Sequence, residues 1–396
     1  MKPQMLFIIL AAWLGLSMTA NAGELTLSGS VTGEFRYFTQ APALPTQTSR
    51  RLYPSISLTP RLNYDWNDGK NSLVVAPFVR LDNNDIDRSH ADLREAYWLH
   101  RGDSWSLSTG INKVYWGVAE SNQLVDIINQ DDALENIYSD DKLGQPMVNL
   151  SVFHDLGTFD IFVMPVFREM QFLSPDARLT FPVPITDAGY ASSRGKNNID
   201  FALRWSQSFG DWDVALSHFN GTSREPRLVP GSAGLTPFYD QINQSALELQ
   251  YTSGNWLWKL ETISRSGQGP QFWAAVGGFE WTLPSIFGTG ADLGLLMEYN
   301  YDGRETLQAP ISIYDNDLFL GARFALNDFG DTSILAGALL DQKTDTQAFS
   351  IEAQRRMGEN WVLGLEAKFF VNATPPDPVA IVGKDDFLSL TLKRSF

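Results

Sequence analysis

Between residues 114 and 146 the chain carries seven carboxylates, Glu120, Asp126, Asp131, Asp132, Glu135, Asp140 and Asp141, against one cation, Lys142. Carboxylates at this density bind divalent ions, work in acid–base pairs, or create a field that sorts passing solutes by charge. The same stretch groups Leu124, Val125, Ile127 and Ile128, and each such side chain gains about 1.5–3 kcal/mol when it leaves water. A loop surrounded by water has no use for them. The segment is therefore expected to pack against a wall through a turn or short helix at residues 121–128, with Glu120, Asp126 and Asp131 turned to the space inside. Arg36, Arg61 and Arg80 fall in neighbouring positions on the polar faces of the first three strands. Together with Asp132, these residues suggest an eyelet with an acidic side and a basic side. Two plainer readings stand beside it. The carboxylates can form a solvated outer face that holds divalent ions, and the arginines can simply pair with Glu34, Asp200, Glu298 or Glu366.

Enzymatic constellations are sparse. His90, His100, His154 and His218 show no HExxH spacing, and His154 beside Asp155 and His218 near Asp213 are the only local acid–base neighbours. There is no GxSxG turn, Walker loop or dinucleotide fingerprint. Without cysteine the chain has no disulfide, thiol nucleophile or Cys-based metal site. No cofactor or metal is implied. A net charge of −16 argues against a nucleic-acid partner, and 12 Trp, 12 Tyr and 25 Phe argue against disorder.

The elements that position these residues alternate apolar and polar side chains. Leu25, Leu27, Val31, Phe35 and Tyr37 share one face, and Thr26, Ser28, Ser30, Thr32, Glu34 and Arg36 the other. Strands recur after short Gly, Asp, Asn or Ser turns that an aromatic follows, such as Trp105, Phe159, Trp212, Trp256 and Trp361. Amphipathic rings at one fixed height suit a membrane interface. About 18 strands are expected, an even number, near 25–38, 54–66, 72–81, 90–99, 105–113, 147–154, 159–167, 198–208, 212–219, 246–252, 256–264, 271–283, 291–301, 318–325, 332–341, 347–355, 361–371 and 387–396. The fourth has no clean face. Short turns alternate with long connections at 39–53, 114–146, 168–197, 220–245, 302–317 and 372–386. Residues 1–22 read as a leader, with Lys2, an apolar run and Ala20-x-Ala22. Residues 23–396 read as one all-β transmembrane antiparallel barrel, because backbone groups in lipid must all be paired. A soluble sandwich alternates too, but has no use for such long strands or for an aromatic after turn upon turn.

The last residues, "FLSLTLKRSF", place Leu388, Leu390, Leu392 and Phe396 in phase. This resembles the C-terminal assembly signal of Gram-negative outer-membrane barrels, from which Arg394 departs. The overall plan resembles a porin, and "LREAYW" followed by "GINKVYWG" is similar to uncharacterised proteobacterial porin-like families. The resemblance implies a passive channel for small hydrophilic solutes in the outer membrane, reached through the periplasm, with residues 114–146 as the constricting third external loop. Its implied partners are membrane lipid and lipopolysaccharide, the barrel-assembly machinery and a homotrimer. Three alternatives remain open: a channel specific for an organic acid, sugar or apolar compound, using Phe162, Phe219, Phe319 or Phe370; a barrel hydrolase; and a structural barrel with a closed lumen.

Overall fold

The computed structural model describes residues 23–135 and 141–396, so the leader expected over residues 1–22 and Asp140 lie outside the described residues. In chain order the strands are β1 (Glu24–Phe38), β2 (Leu52–Trp66), β3 (Asn71–Asp82), β4 (Ala91–Arg101), β5 (Trp105–Asn112), β6 (Gln145–His154), β7 (Gly157–Met164), β8 (Gly189–Tyr190), β9 (Asp200–Phe209), β10 (Trp212–Thr222), β11 (Arg227–Gly231), β12 (Gly234–Tyr239), β13 (Gln241–Ser253), β14 (Trp256–Ser266), β15 (Phe272–Leu283), β16 (Asp292–Asp302), β17 (Asn316–Ala325), β18 (Ser333–Asp341), β19 (Gln347–Met357), β20 (Trp361–Val371) and β21 (Phe387–Ser395). Eighteen of them form one antiparallel sheet, and β21 pairs with β1 from Ser30 opposite Ser395 to Phe38 opposite Phe387. The sheet is therefore a closed barrel without edges. Every expected strand is present.

The period of two decides what each face meets. Phe35, Tyr37, Leu388, Leu390 and Leu392 lie exposed on the outside, whereas Glu34 and Arg36 are buried inside. Trp258 and Trp281 each stack with Trp256, and Phe279 meets Trp256 edge-on, at the end of the barrel with the short turns. Arg394, the departure from the assembly signal, faces outward with its guanidinium 5.6 Å from the Trp361 ring centroid.

The unclean fourth strand has a local cause. Ala76 faces Glu95 while Pro77 faces Leu93, which leaves Arg94 as an extra, unpaired residue in β4. Such a bulge turns two consecutive side chains to one side. Arg94 and Glu95 consequently both enter the lumen.

At the end with the long loops, a small sheet absent from the expected list forms in the order β11, β12, β8. It is rooted at β10 and β13. Residues 165–199 run from β7 along the rim, where Arg168 binds Asp92, the Ser174 N–H donates to Asp87, and the Thr48 N–H donates to the Asp176 carbonyl. Arg178 then donates to Asp385 at 2.6 Å and lies 4.3 Å from the Phe38 ring centroid, while Leu179 packs with Phe38, Tyr53 and Phe387. The chain returns through Pro184, whose carbonyl accepts the Leu235 N–H. β10 and β13 stand opposite β1 and β21 in the ring of eighteen, so strap and hairpin together bridge the mouth.

Candidate functional site

The lumen is interrupted by the loop between β5 and β6. Val125 and Ile128 are fully buried and Trp116 and Ile127 nearly so, in one cluster with Met147, Phe162, Met164, Ala202, Phe219, Ile242, Ala246, Ile263, Phe272 and Ala274. The wall members of this cluster sit at inner-face positions, where polar residues are expected. They form an apolar seat. Phe162 and Phe219 are thus covered by the loop rather than lining a passage, and the inner-face apolar residues on β6 to β15 were the signal from which the seat could have been read. The segment at 121–128 is a series of turns, not a helix.

Three wall carboxylates hold the loop by its backbone. Glu248 accepts the Gly117 N–H at 3.3 Å; Glu261 accepts the N–H groups of Val118, Ala119 and Val125 at 2.6, 2.8 and 3.1 Å. Glu298 accepts from the N–H and hydroxyl of Ser121, both at 2.7 Å, and from the Glu120 N–H. Hydrogen bonds to charged acceptors are worth more than neutral ones. Gly117 has φ +115°, and a Cβ there would come 3.0 Å from Glu261 Oε1, so glycine permits both the turn and the approach. Sequence reading gave Glu298 only an ion-pairing role and did not single out Glu248 or Glu261, because an inner-face Glu looks the same whether it meets water or a loop.

The expected eyelet residues are arranged differently from an open gap. Asp132 meets Arg94 at 2.6 Å, and Glu135 accepts two parallel bonds from Arg80, Nε at 2.7 Å and Nη2 at 2.6 Å. Arg80 and Arg88 also share Glu34, at 2.7 and 2.8 Å, and Arg36 joins it at 3.1 Å. Arg36 and Arg80 are therefore buried in a network that pins the loop's C-terminal half to the wall. The acidic side and this part of the basic side touch. Arg61 on β2 pairs instead with Glu95 on β4, across the inner face of β3. Asp126 is turned away from the open space and buried, 3.5 Å from Lys142, and burial pushes its carboxyl up to about 7. Asp131 is half exposed and binds Lys142 at 2.5 Å. Glu120 reaches Arg323 on β17 at 2.6 Å. Of the carboxylates placed in the lumen by sequence, Glu120 and Asp131 keep an exposed edge, while Asp126 and Asp132 do not.

The histidines are dispersed. His90 Nε2 lies 3.9 Å from Asp132 and 3.8 Å from Glu135; His100 and His218 are on the outer face, and His154 is at a turn.

A closed eighteen-stranded antiparallel barrel with an apolar exterior and a loop seated in its interior is a fold of the porin type. No family model matches the chain, and no curated protein matches it. Among solved structures it is similar to Wzi of Escherichia coli, an outer membrane protein involved in group 1 capsule assembly and a carbohydrate-binding β-barrel, with 10% identity over 93% of this chain and 84% of that one and a TM-score of 0.55. It is also similar to OmpT, an outer membrane protein of Vibrio cholerae (11% identity, 95% and 100% coverage, TM-score 0.46), and to a mutant Rh. blastica porin (10%, 94% and 100%, 0.45).

Proposed function

We propose that the protein is an outer-membrane channel through which small hydrophilic solutes diffuse, with the loop after β5 as its waist. The observation that carries this reading is the seating of that loop. Its contacts draw it onto the two thirds of the wall from β3 to β17, which leaves the third formed by β18 to β21, β1 and β2 to line the passage. Ser350, Glu352, Lys368 and Thr391 take inner-face positions there, with Glu352 hydrogen-bonded by Lys368 yet still largely exposed. The short turns then face the periplasm and the long loops the exterior. Residues 1–22 would be removed on export, and the last strand would serve the assembly machinery. With an acidic chain and an accessible Glu352, the passage prefers cations.

The test is the reversal potential of refolded protein in a planar bilayer under a potassium chloride gradient. Cation preference that shrinks on Glu352→Gln supports the reading; a potential untouched by that change removes Glu352 from the path. A second reading, a barrel that binds a ligand rather than passing solutes, is favoured by the bridge across the mouth, and a bilayer without current would select it.

A further inference from the structure

Between the seated loop and the short-turn end of the barrel lies a cavity of about 350 Å³. We infer that this cavity is a binding site for a neutral polyhydroxylated solute about the size of a hexose. The inference rests on the channel reading for its biological setting, but its chemistry is local.

The roof is Val118 of the loop together with a fixed ion pair: Arg204 Nε and Nη2 donate to the two oxygens of Glu248, each at 3.1 Å. Trp116 covers the guanidinium from the loop side, its ring centroid 5.7 Å away. The pair is therefore held at both ends, since Glu248 is itself bound by the Gly117 N–H. Below it, Thr158 faces Ser206 across β7 and β9, and Ser206 faces Ala215 on β10. Asp213 closes the lower edge and accepts the Ser208 hydroxyl at 2.5 Å.

The charges of this lining select the class of ligand. An anion would meet Asp213 and Glu248, and a cation would have to compete with Arg204 for Glu248 or hold to Asp213 at the lower edge. A neutral solute breaks nothing. It can accept from Arg204 Nη1, which the pair with Glu248 leaves available, and exchange hydrogen bonds with the hydroxyls of Thr158 and Ser206. Val118 and Ala215 offer an apolar surface to its carbon chain. The volume lies at the lower end of the range for small-molecule sites.

The test is saturation-transfer NMR on the refolded full barrel with D-glucitol, D-gluconate and D-glucosamine as probes, using wild type, Ser206→Leu, which fills the cavity and leaves the ion pair intact, and Arg204→Met. Strand content by circular dichroism verifies each variant's fold. The expected result is transfer to glucitol, at least tenfold weaker transfer to the two charged probes, and loss of the glucitol signal in Ser206→Leu. Equal transfer to all three probes, or a glucitol signal that survives Ser206→Leu, overturns the site. Should Arg204→Met fail to fold, Ser206→Leu alone decides. Because the readout needs no current, a silent bilayer with intact glucitol binding defeats the channel reading and leaves the site standing.

Discussion

At the scale of single residues, the waist depends on groups whose charge state is fixed by what surrounds them. Glu298 accepts two backbone N–H groups and a hydroxyl from residues 120 and 121. Glu298→Gln replaces one acceptor oxygen by a donor facing those N–H groups, and each such charged hydrogen bond contributes about 1.5–3 kcal/mol. The expected outcome is faster amide hydrogen exchange at residues 120 and 121 with strand amides unchanged. Asp126 behaves in the opposite sense. Burial raises its carboxyl to about 7, so between the ordinary carboxylate range near ~4 and about 7 the folded chain holds a proton that the unfolded chain has lost. Stability from this group is greatest below that window, falls as pH rises through it, and stays low above. Asp126→Asn should flatten that slope, read as urea midpoints at about pH 5 and about pH 8.

At the scale of elements, the strands were legible because alternation is imposed wherever one face meets lipid and the other water. The loop's apolar run, Leu124, Val125, Ile127 and Ile128, was legible for a similar reason. Its partners were not. The bulge at Arg94 shifts phase within one strand, and only pairing to Pro77 and Ala76 reveals which residue is extra. The ion pairs of Asp132 and Glu135 join residues far apart in sequence, so spacing could not separate an open eyelet from a pinned loop. Arg94→Met leaves the Asp132 carboxylate buried without its cation, and removing one partner of such a pair costs about 3–5 kcal/mol. A fall in unfolding free energy of that size, read from urea titration and larger at neutral pH than in acid, is expected. The strap over residues 165–199 is held by Arg178 on Asp385, on the Lys384 carbonyl and beneath Phe38. Arg178→Ala should expose it to limited proteolysis while the strands stay folded.

At the scale of the whole molecule, the barrel is wide enough to enclose water unless something fills it, since about 18 strands exceed the eight whose interior side chains can fill. Two devices partly fill it: the seated loop at the waist and the bridge at the mouth. On the channel reading, the passage runs along β18 to β21, β1 and β2, and its width depends on how firmly the loop stays on the rest of the wall. The seat is apolar and Glu261 and Glu298 accept most of the hydrogen bonds by which wall carboxylates hold the loop, so loosening those two residues changes the waist without altering the sheet. The most direct measurement is single-channel conductance of refolded wild type beside the Glu261→Gln, Glu298→Gln double variant in planar bilayers. A steady small conductance in wild type that becomes larger and noisier in the double variant is the predicted result; identical conductance in the two, or no current from either, would contradict a passage narrowed by this loop.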